Sequence, residues 1–453
     1  MGTHFQTHTS DMSASLSCSS VAQSVALSES MWQKTSADGL SGNLDASNTE
    51  IGTEIVSLIT QLFAKGKYEL VVEIADELVT FHPQSFFLHN ILGESFAFLG
   101  ENLKAVAHFK KILQLEPSEN EDRLREACLP NVHNNIGIAL KSIGFLEESE
   151  KHLIKAIELD PKLASAYNNY GNLLNEKADL SGAQEKFLKA IDLEPSSYAA
   201  YWNLHSTVNE EETAKAIIEQ CLLQSPTFKD AVFTLAGMRA FGGNDIHFKE
   251  LLSSGFVDEP IIRSINWVLS LPKLPEIHFN RWSMFDRAIE LSDTSRPFYE
   301  YGVWMGDSFR YLMKHFEKGY GFDTFEGLPE DWGPVPKGTY SSFGKVPSIK
   351  GAEFIVGEFE HSLPKFFATP RALASLINFD ADLYASTLCA LVNSKAVIDE
   401  KTILIFDEFI INSDWENDEF RALEEFCKAN GLDYEVIAVS LYTKQVVLRL
   451  VGL

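Results

Sequence analysis

The sequence predicts two structural classes in series: an array of helical hairpins, then an α/β unit whose mostly parallel sheet is covered on both faces. Three observations carry this. Pro83, Pro117, Pro161 and Pro195 close stretches of helical pattern at spacings of 34, 44 and 34 residues. From Pro297 onward, short apolar runs alternate with amphipathic segments, as strands joined by crossover helices do. Two of those runs end in acids, where a parallel sheet presents its carboxyl edge.

Composition bounds the reading. At about 100–200 residues per domain, 453 residues should hold two to four units, and 45% hydrophobic content is ordinary for folded chains. The 64 acids against 38 Lys and Arg give a formal charge of −26, which disfavours nucleic acid and anionic membrane surfaces as partners. Apolar runs such as 55–64 and 402–406 fall short of the roughly 18 residues a membrane span needs. Cys18, Cys128, Cys221, Cys389 and Cys427 are odd in number and lack CxxC spacing, which fits reduced thiols and a cytoplasmic location.

Residues 1–50 hold 17 Ser or Thr, one Lys and no Arg, with no apolar periodicity, so they read as a disordered tail without signal or transit character. Residues 51–243 read as the repeat array. Counting back from Pro117 places Gly93, Phe96, Gly100, Ala105, Phe109 and Ile112 at small and large apolar positions of one hairpin. Pro161 does the same for Gly137, Leu140, Gly144, Leu153 and Ala156, and Pro195 for Gly171, Leu174, Ala183, Phe187 and Ala190. The small residues let two helices approach while the large ones fill the space between hairpins. The 44-residue interval implies about ten extra residues, assigned to 118–125. Residues 52–85 form a weaker first repeat, and 199–226 with 228–243 are degenerate caps. This pattern resembles the tetratricopeptide repeat family, which implies a right-handed superhelix whose concave groove binds protein or peptide. A dimerisation or spacer role is equally open.

Residues 244–279 read as a linker, and 280–291 as an amphipathic helix leading into the α/β unit at 280–453. Seven strands are expected: 298–304, 320–323, 353–359, 375–380, 403–407, and a terminal antiparallel pair at 434–440 and 445–451. A Rossmann-like sheet with a reversed last strand is the class I methyltransferase layout. The first strand runs into Glu300-Tyr301-Gly302-Val303-Trp304-Met305-Gly306-Asp307-Ser308, a glycine loop opening a helix, and Asp323 ends the next strand where a ribose hydroxyl would be held. Glu300 suits a cationic ligand such as S-adenosylmethionine better than a pyrophosphate. Asp380-Ala381-Asp382 and Asp407-Glu408 end two neighbouring strands; such a group of carboxylates calls for a cation, and oxygen ligands favour Mg²⁺. The loop 326–351, with Trp332, Tyr340 and Phe343, reads as a substrate lid or a surface insertion.

In order, Glu300 to Ser308, Gly321 to Pro329, Gly357 to Pro364, Phe379 to Thr387, Ile405 to Glu408 and Glu419 to Ala422 resemble the metal-dependent sugar O-methyltransferases typified by macrocin O-methyltransferase. The resemblance implies that Asp380, Asp407 and Glu408 hold Mg²⁺ and that Asp382 is the general base. It also implies that Glu300, Gly302, Gly306 and Ser308 surround the methionine part of S-adenosylmethionine, with Asp323 on its ribose. Glu408 stands where some relatives have Asp, and Phe379 removes one possible polar contact. The implied acceptor is a hydroxyl of a sugar, glycan or small secondary metabolite. Two other readings remain: a glycosyltransferase using Asp380-Ala381-Asp382 for a metal-bound nucleotide sugar, and a repeat scaffold whose α/β unit is inactive.

Overall fold

A computed structural model describes residues 51–115 and 122–452; the expected tail at 1–50 and residues 118–121 of the expected insertion lie outside them. The chain divides into two compact units, 1–203 and 204–453.

The first unit is built from helix pairs: α1 (Thr53–Ala64) with α2 (Tyr68–Phe81), α3 (Phe86–Phe98) with α4 (Asn102–Gln114), α5 (Asp122–Ser142) with α6 (Leu146–Leu159), and α7 (Ala164–Glu176) with α8 (Leu180–Leu193). One contact recurs. A Cβ added at Gly93 would lie 2.6 Å from Phe109, at Gly137 2.6 Å from Leu153, and at Gly171 2.5 Å from Phe187, so in these three pairs a bare helix backbone receives a large apolar side chain from the equivalent position of the partner helix. The turns within pairs also repeat, with positive φ at Gly66, Gly100, Gly144 and the non-glycine Ala178. Ser85 and Asp179 cap α3 and α8, their side chains accepting from the backbone N–H groups of Leu88 and Gly182. Successive pairs are tied by buried amides: Asn169 donates to Asn134 at 2.8 Å and Asn203 to Asn168 at 3.0 Å. At 21 residues α5 is longer than the 13-residue α3 and α7, so part of the ten-residue excess extends a helix.

In the second unit, α10 (Glu211–Gln224), α11 (Lys229–Phe241), α12 (Ile246–Ser253) and α13 (Pro260–Ser270) precede one eight-stranded sheet; α9 (Tyr198–His205) bridges the division of the chain. The strands are β1 (Glu276–His278), β2 (Phe298–Tyr301), β3 (Gly319–Asp323), β4 (Ala352–Val356), β5 (Leu376–Phe379), β6 (Ile403–Phe406), β7 (Asp433–Ser440) and β8 (Val446–Val451). Their order is β1-β7-β8-β6-β5-β2-β3-β4, and β8 alone runs antiparallel to its neighbours. The expected seven strands are thus eight. The added β1 is three residues long and follows Pro272 and Pro275, too short for an alternating pattern to register. Residues 244–279 hold α12, α13 and β1, and Ile262, Ile265 and Val268 are buried in the same apolar cluster as Tyr301 and Phe379 of the sheet.

The sheet sorts its side chains by parity. Tyr299, Tyr301, Ile377, Phe379, Leu404 and Phe406 enter one core, while Phe298, Leu376, Ile403 and Ile405 enter another beneath α14 (Arg281–Leu291). At the last strand position the rings of Phe322, Tyr301, Phe379 and Phe406 stack across four strands, with centroids 4.9, 5.3 and 4.6 Å apart in turn. The register sets them directly opposite one another. This fully buried aromatic rung is the rigid floor of the carboxyl edge.

Candidate functional site

One residue beyond the aromatic rung come Asp323 on β3, Gly302 on β2, Asp380 on β5 and Asp407 on β6. The order of the sheet reverses between β2 and β5, the place where α/β sheets open a crevice. There Gly302, at φ 88°, packs so closely that an added Cβ would lie 1.8 Å from the carbonyl oxygen of Asp380. The glycine is required by the neighbouring strand's backbone, and the turn it makes ends β2 sooner than the apolar run suggests.

Asp323 shapes the same loop. Its Oδ2 accepts from the N–H groups of Val303 at 2.6 Å and Trp304 at 2.7 Å, and its Oδ1 accepts from Phe325 at 2.7 Å. A carboxylate offers about four lone-pair directions, so about one is left for an outside hydroxyl. Glu300 lies below, fully buried; Ser308 donates to its Oε1 at 3.0 Å and Asn378 to its Oε2 at 3.4 Å. Burial pushes its carboxyl up to about 8, against the opposing pull of those two donors. Gly306, at φ 81°, caps the short α15 (Asp307–Leu312), and its Cα faces Pro347 of the long loop.

The acids after β5 and β6 are brought together, and they bring their own cations. Nη2 of Arg281, the first residue of α14, donates to Asp380 Oδ2 at 2.9 Å and to Asp407 Oδ1 at 2.8 Å. Gln445 donates a third bond, at 2.8 Å, to that same Asp407 oxygen. Lys444 Nζ lies 3.3 and 2.9 Å from the two oxygens of Glu408. Burial raises the carboxyl pKa of Asp380 and of Asp407, with Arg281 opposing. Asp382 differs: no hydrogen bond or ion pair holds its carboxylate among the described residues. Its backbone sits in the left-handed region at φ 58°. Burial, then the charges of Glu408 and Asp407, push its carboxyl up to about 8.

The expected Mg²⁺ does not fit this arrangement. One oxygen of Asp380 and one of Asp407 are held by Arg281, the latter also by Gln445, and both oxygens of Glu408 by Lys444, so two fixed cations already stand among the three acids that would ligate it. Among the described residues no group of three or more His, Cys, Asp or Glu is placed to hold a metal ion. Sequence reading missed these three partners because they lie 36 to 126 positions from the acids they meet. It also left the role of Tyr340 open. Tyr340, at φ 60°, packs edge-on against Trp304 at 5.7 Å, and burial followed by the charges of Asp382, Glu408, Asp380 and Asp407 raises its hydroxyl pKa.

Strain gathers at this edge. Of the eight non-glycine residues with positive φ among those described, seven follow the ends of β2, β3, β5, β6 and β7: Trp304, Phe325, Tyr340, Phe343, Asp382, Ile411 and Lys444. Such conformations cost on the order of 1–3 kcal/mol each and collect at functional sites. No described helix is long and apolar enough to cross a membrane.

Residues 130–163 match the tetratricopeptide repeat family. No curated protein matches the chain. Among solved structures, YrrB, described as a TPR protein with an unusual peptide-binding site, is 14% identical with a TM-score of 0.32, covering 45% of this chain and 96% of its own. TTC0263, a thermophilic TPR protein of Thermus thermophilus, is 19% identical with a TM-score of 0.34, covering 41% and 98%. CalS11, a calicheamicin methyltransferase, is 19% identical with a TM-score of 0.29, covering 48% and 91%. The match at 130–163 falls on α5 and α6, where Gly137 receives Leu153, and the first unit accordingly carries tetratricopeptide repeats.

Proposed function

We propose that the second unit is an S-adenosylmethionine-dependent O-methyltransferase and that the repeats serve a protein partner or self-association. One observation carries the first part: a reversed β8 lies between β6 and β7 in an otherwise parallel sheet. This is the class I methyltransferase layout, and carboxylates gather at its carboxyl edge. An acid-lined crevice suits a cofactor with a sulfonium and an ammonium group.

In this reading the Asp323 carboxylate fixes the Val303-Trp304 turn through two N–H bonds and keeps about one lone-pair direction for a ribose hydroxyl. Glu300 and Ser308 support the turn from below. Bound S-adenosylmethionine supplies the electrophilic methyl group. Asp382 takes the proton from the acceptor hydroxyl, and a carboxylate whose basicity is raised toward neutral pH is suited to that step. Tyr340 and Trp304 stand beside it as an aromatic wall for a sugar-like or small-molecule acceptor. Calorimetric titration of the full chain with S-adenosylmethionine tests the reading. Binding in the wild type, retained in Asp382→Asn and weakened in Asp323→Ala, supports it; binding of a nucleotide sugar instead would transfer the site to glycosyl transfer.

A further inference from the structure

The acid cluster poses a question of charge. Asp380, Asp407 and Glu408 are three carboxylates on adjacent strand ends, and such a group is stable only with cations beside it. Two cationic side chains are already there. Arg281 Nη2 stands between Asp380 and Asp407, within 2.9 Å of one oxygen from each, so a single positive charge already bridges the two acids. Gln445 points an N–H at the same Asp407 oxygen from the β7–β8 turn. Lys444, from that turn, holds both oxygens of Glu408, with both side chains 15% exposed.

Arg281 is also firmly placed. It opens α14, whose Met284, Phe285 and Ala288 are fully buried in the core beneath the sheet. Asn280 caps that helix by accepting from Ser283 N–H at 2.7 Å, and the guanidinium lies over the ring of Phe285. Its side chain is 23% exposed and that of Asp407 10%, so the pair sits where screening by water is weak. A guanidinium keeps its charge throughout the working pH range, so it neutralises the cluster permanently.

We infer that Arg281 is the resident cation of this site: with Lys444 it replaces a divalent metal, leaving Asp382 as the one carboxylate of the group that no cationic side chain holds. The chain differs here from the metal-dependent enzymes its motifs resemble. A guanidinium cannot lower an acceptor oxygen's pKa by direct coordination as a metal ion does, so removal of the acceptor's proton falls to Asp382. The consequence for turnover rests on the methyltransferase reading, whereas the cation itself is measured without turnover.

Manganese(II) titration of the full chain, followed by the electron paramagnetic resonance signal of the free ion, is the test. Wild type is expected to bind no Mn²⁺ that depends on the cluster, so that wild type and Asp407→Asn titrate alike. Arg281→Gln, folded by circular dichroism, is expected to bind at least about tenfold more tightly than wild type, and adding Asp407→Asn should abolish the gain. Mn²⁺ binding in the wild type that Asp407→Asn removes would overturn the inference, as would a folded Arg281→Gln chain with no gain. The wild-type arm decides even where Arg281→Gln does not fold. S-adenosylmethionine binding in the same samples reports on the methyltransferase reading alone.

Discussion

The two units arrange their interior polar pairs differently. In the repeats neutral pairs recur at fixed intervals, His89 with His108 at 3.1 Å, His133 with His152 at 2.9 Å, and Asn134 with Asn169 at 2.8 Å, beside one buried acid, Glu94, bonded by Asn90. In the sheet unit the charged pairs gather at one edge, each acid held by a partner distant in sequence. Periodic neutral pairs repeat one local contact along the helices, whereas the carboxylates concentrate charge and strained backbone at a single edge.

The sharpest way to break the sheet's side of this contrast is Gly302→Ala. A Cβ 1.8 Å from a backbone carbonyl, at φ 88°, cannot be absorbed by a rotamer change, so a loss of about 4–5 kcal/mol is expected, the upper end for one substitution. Urea unfolding of the second unit would measure it, and a variant of near wild-type stability would refute the close packing of β2 on β5. Next comes Phe187→Ala in the repeats. It empties the space over Gly171 and should cost about 3 kcal/mol or more in the first unit. Hydrogen exchange should show the loss strongest in α7 and α8, since repeats depend on nearest neighbours.

Acidity should move the two units in opposite directions. Burial, then His152 and Lys155, lower His133 from 6.5 to about 4. The unfolded chain then binds more protons across that window, so the repeats lose stability as pH falls from 6.5 toward 4. Glu300 is raised from 4.5 to about 8, so the folded sheet unit binds more protons and loses stability as pH rises from 4.5 toward 8. Hydrogen exchange at about pH 5 and about pH 8, read unit by unit, checks both signs; parallel slopes would erase the distinction. The smallest effect is a gain. Ala178 holds the left-handed turn position occupied by glycine at 66, 100 and 144, so Ala178→Gly should stabilise the repeats by about 1 kcal/mol. A thermal melt of the first unit would show it.

What could be read from the sequence was local or periodic. The prolines marked the hairpins, Gly93, Gly137 and Gly171 marked the close helix contacts, and the acids ending β5 and β6 marked where carboxylates gather, because each signal lies within one element or recurs at a fixed interval. Arg281 was not legible as a partner of Asp380 and Asp407 because 99 and 126 positions separate it from them, and only the parity of the strands brings α14 to that face. Asp323 looked like a ribose ligand, yet most of its lone pairs hold backbone N–H groups, a use with no side-chain signature. Strand β1 was hidden by its brevity.

That short strand has a consequence for how copies of the chain avoid one another. A sheet ending at β7 would offer an eight-residue edge of unpaired backbone groups, a template for another molecule's strand. β1 covers the last three of those residues, Ala438–Ser440, and its own outer edge is only three residues long. It follows two prolines and carries Glu276, gripped by Arg287 at 2.7 and 2.8 Å, so a charged pair stands where an incoming strand would have to dock. The opposite border, β4, places Glu353 outward near Lys318. Charged pairs thus stand on both margins of the sheet, at β1 and at β4, where an incoming strand would have to displace them.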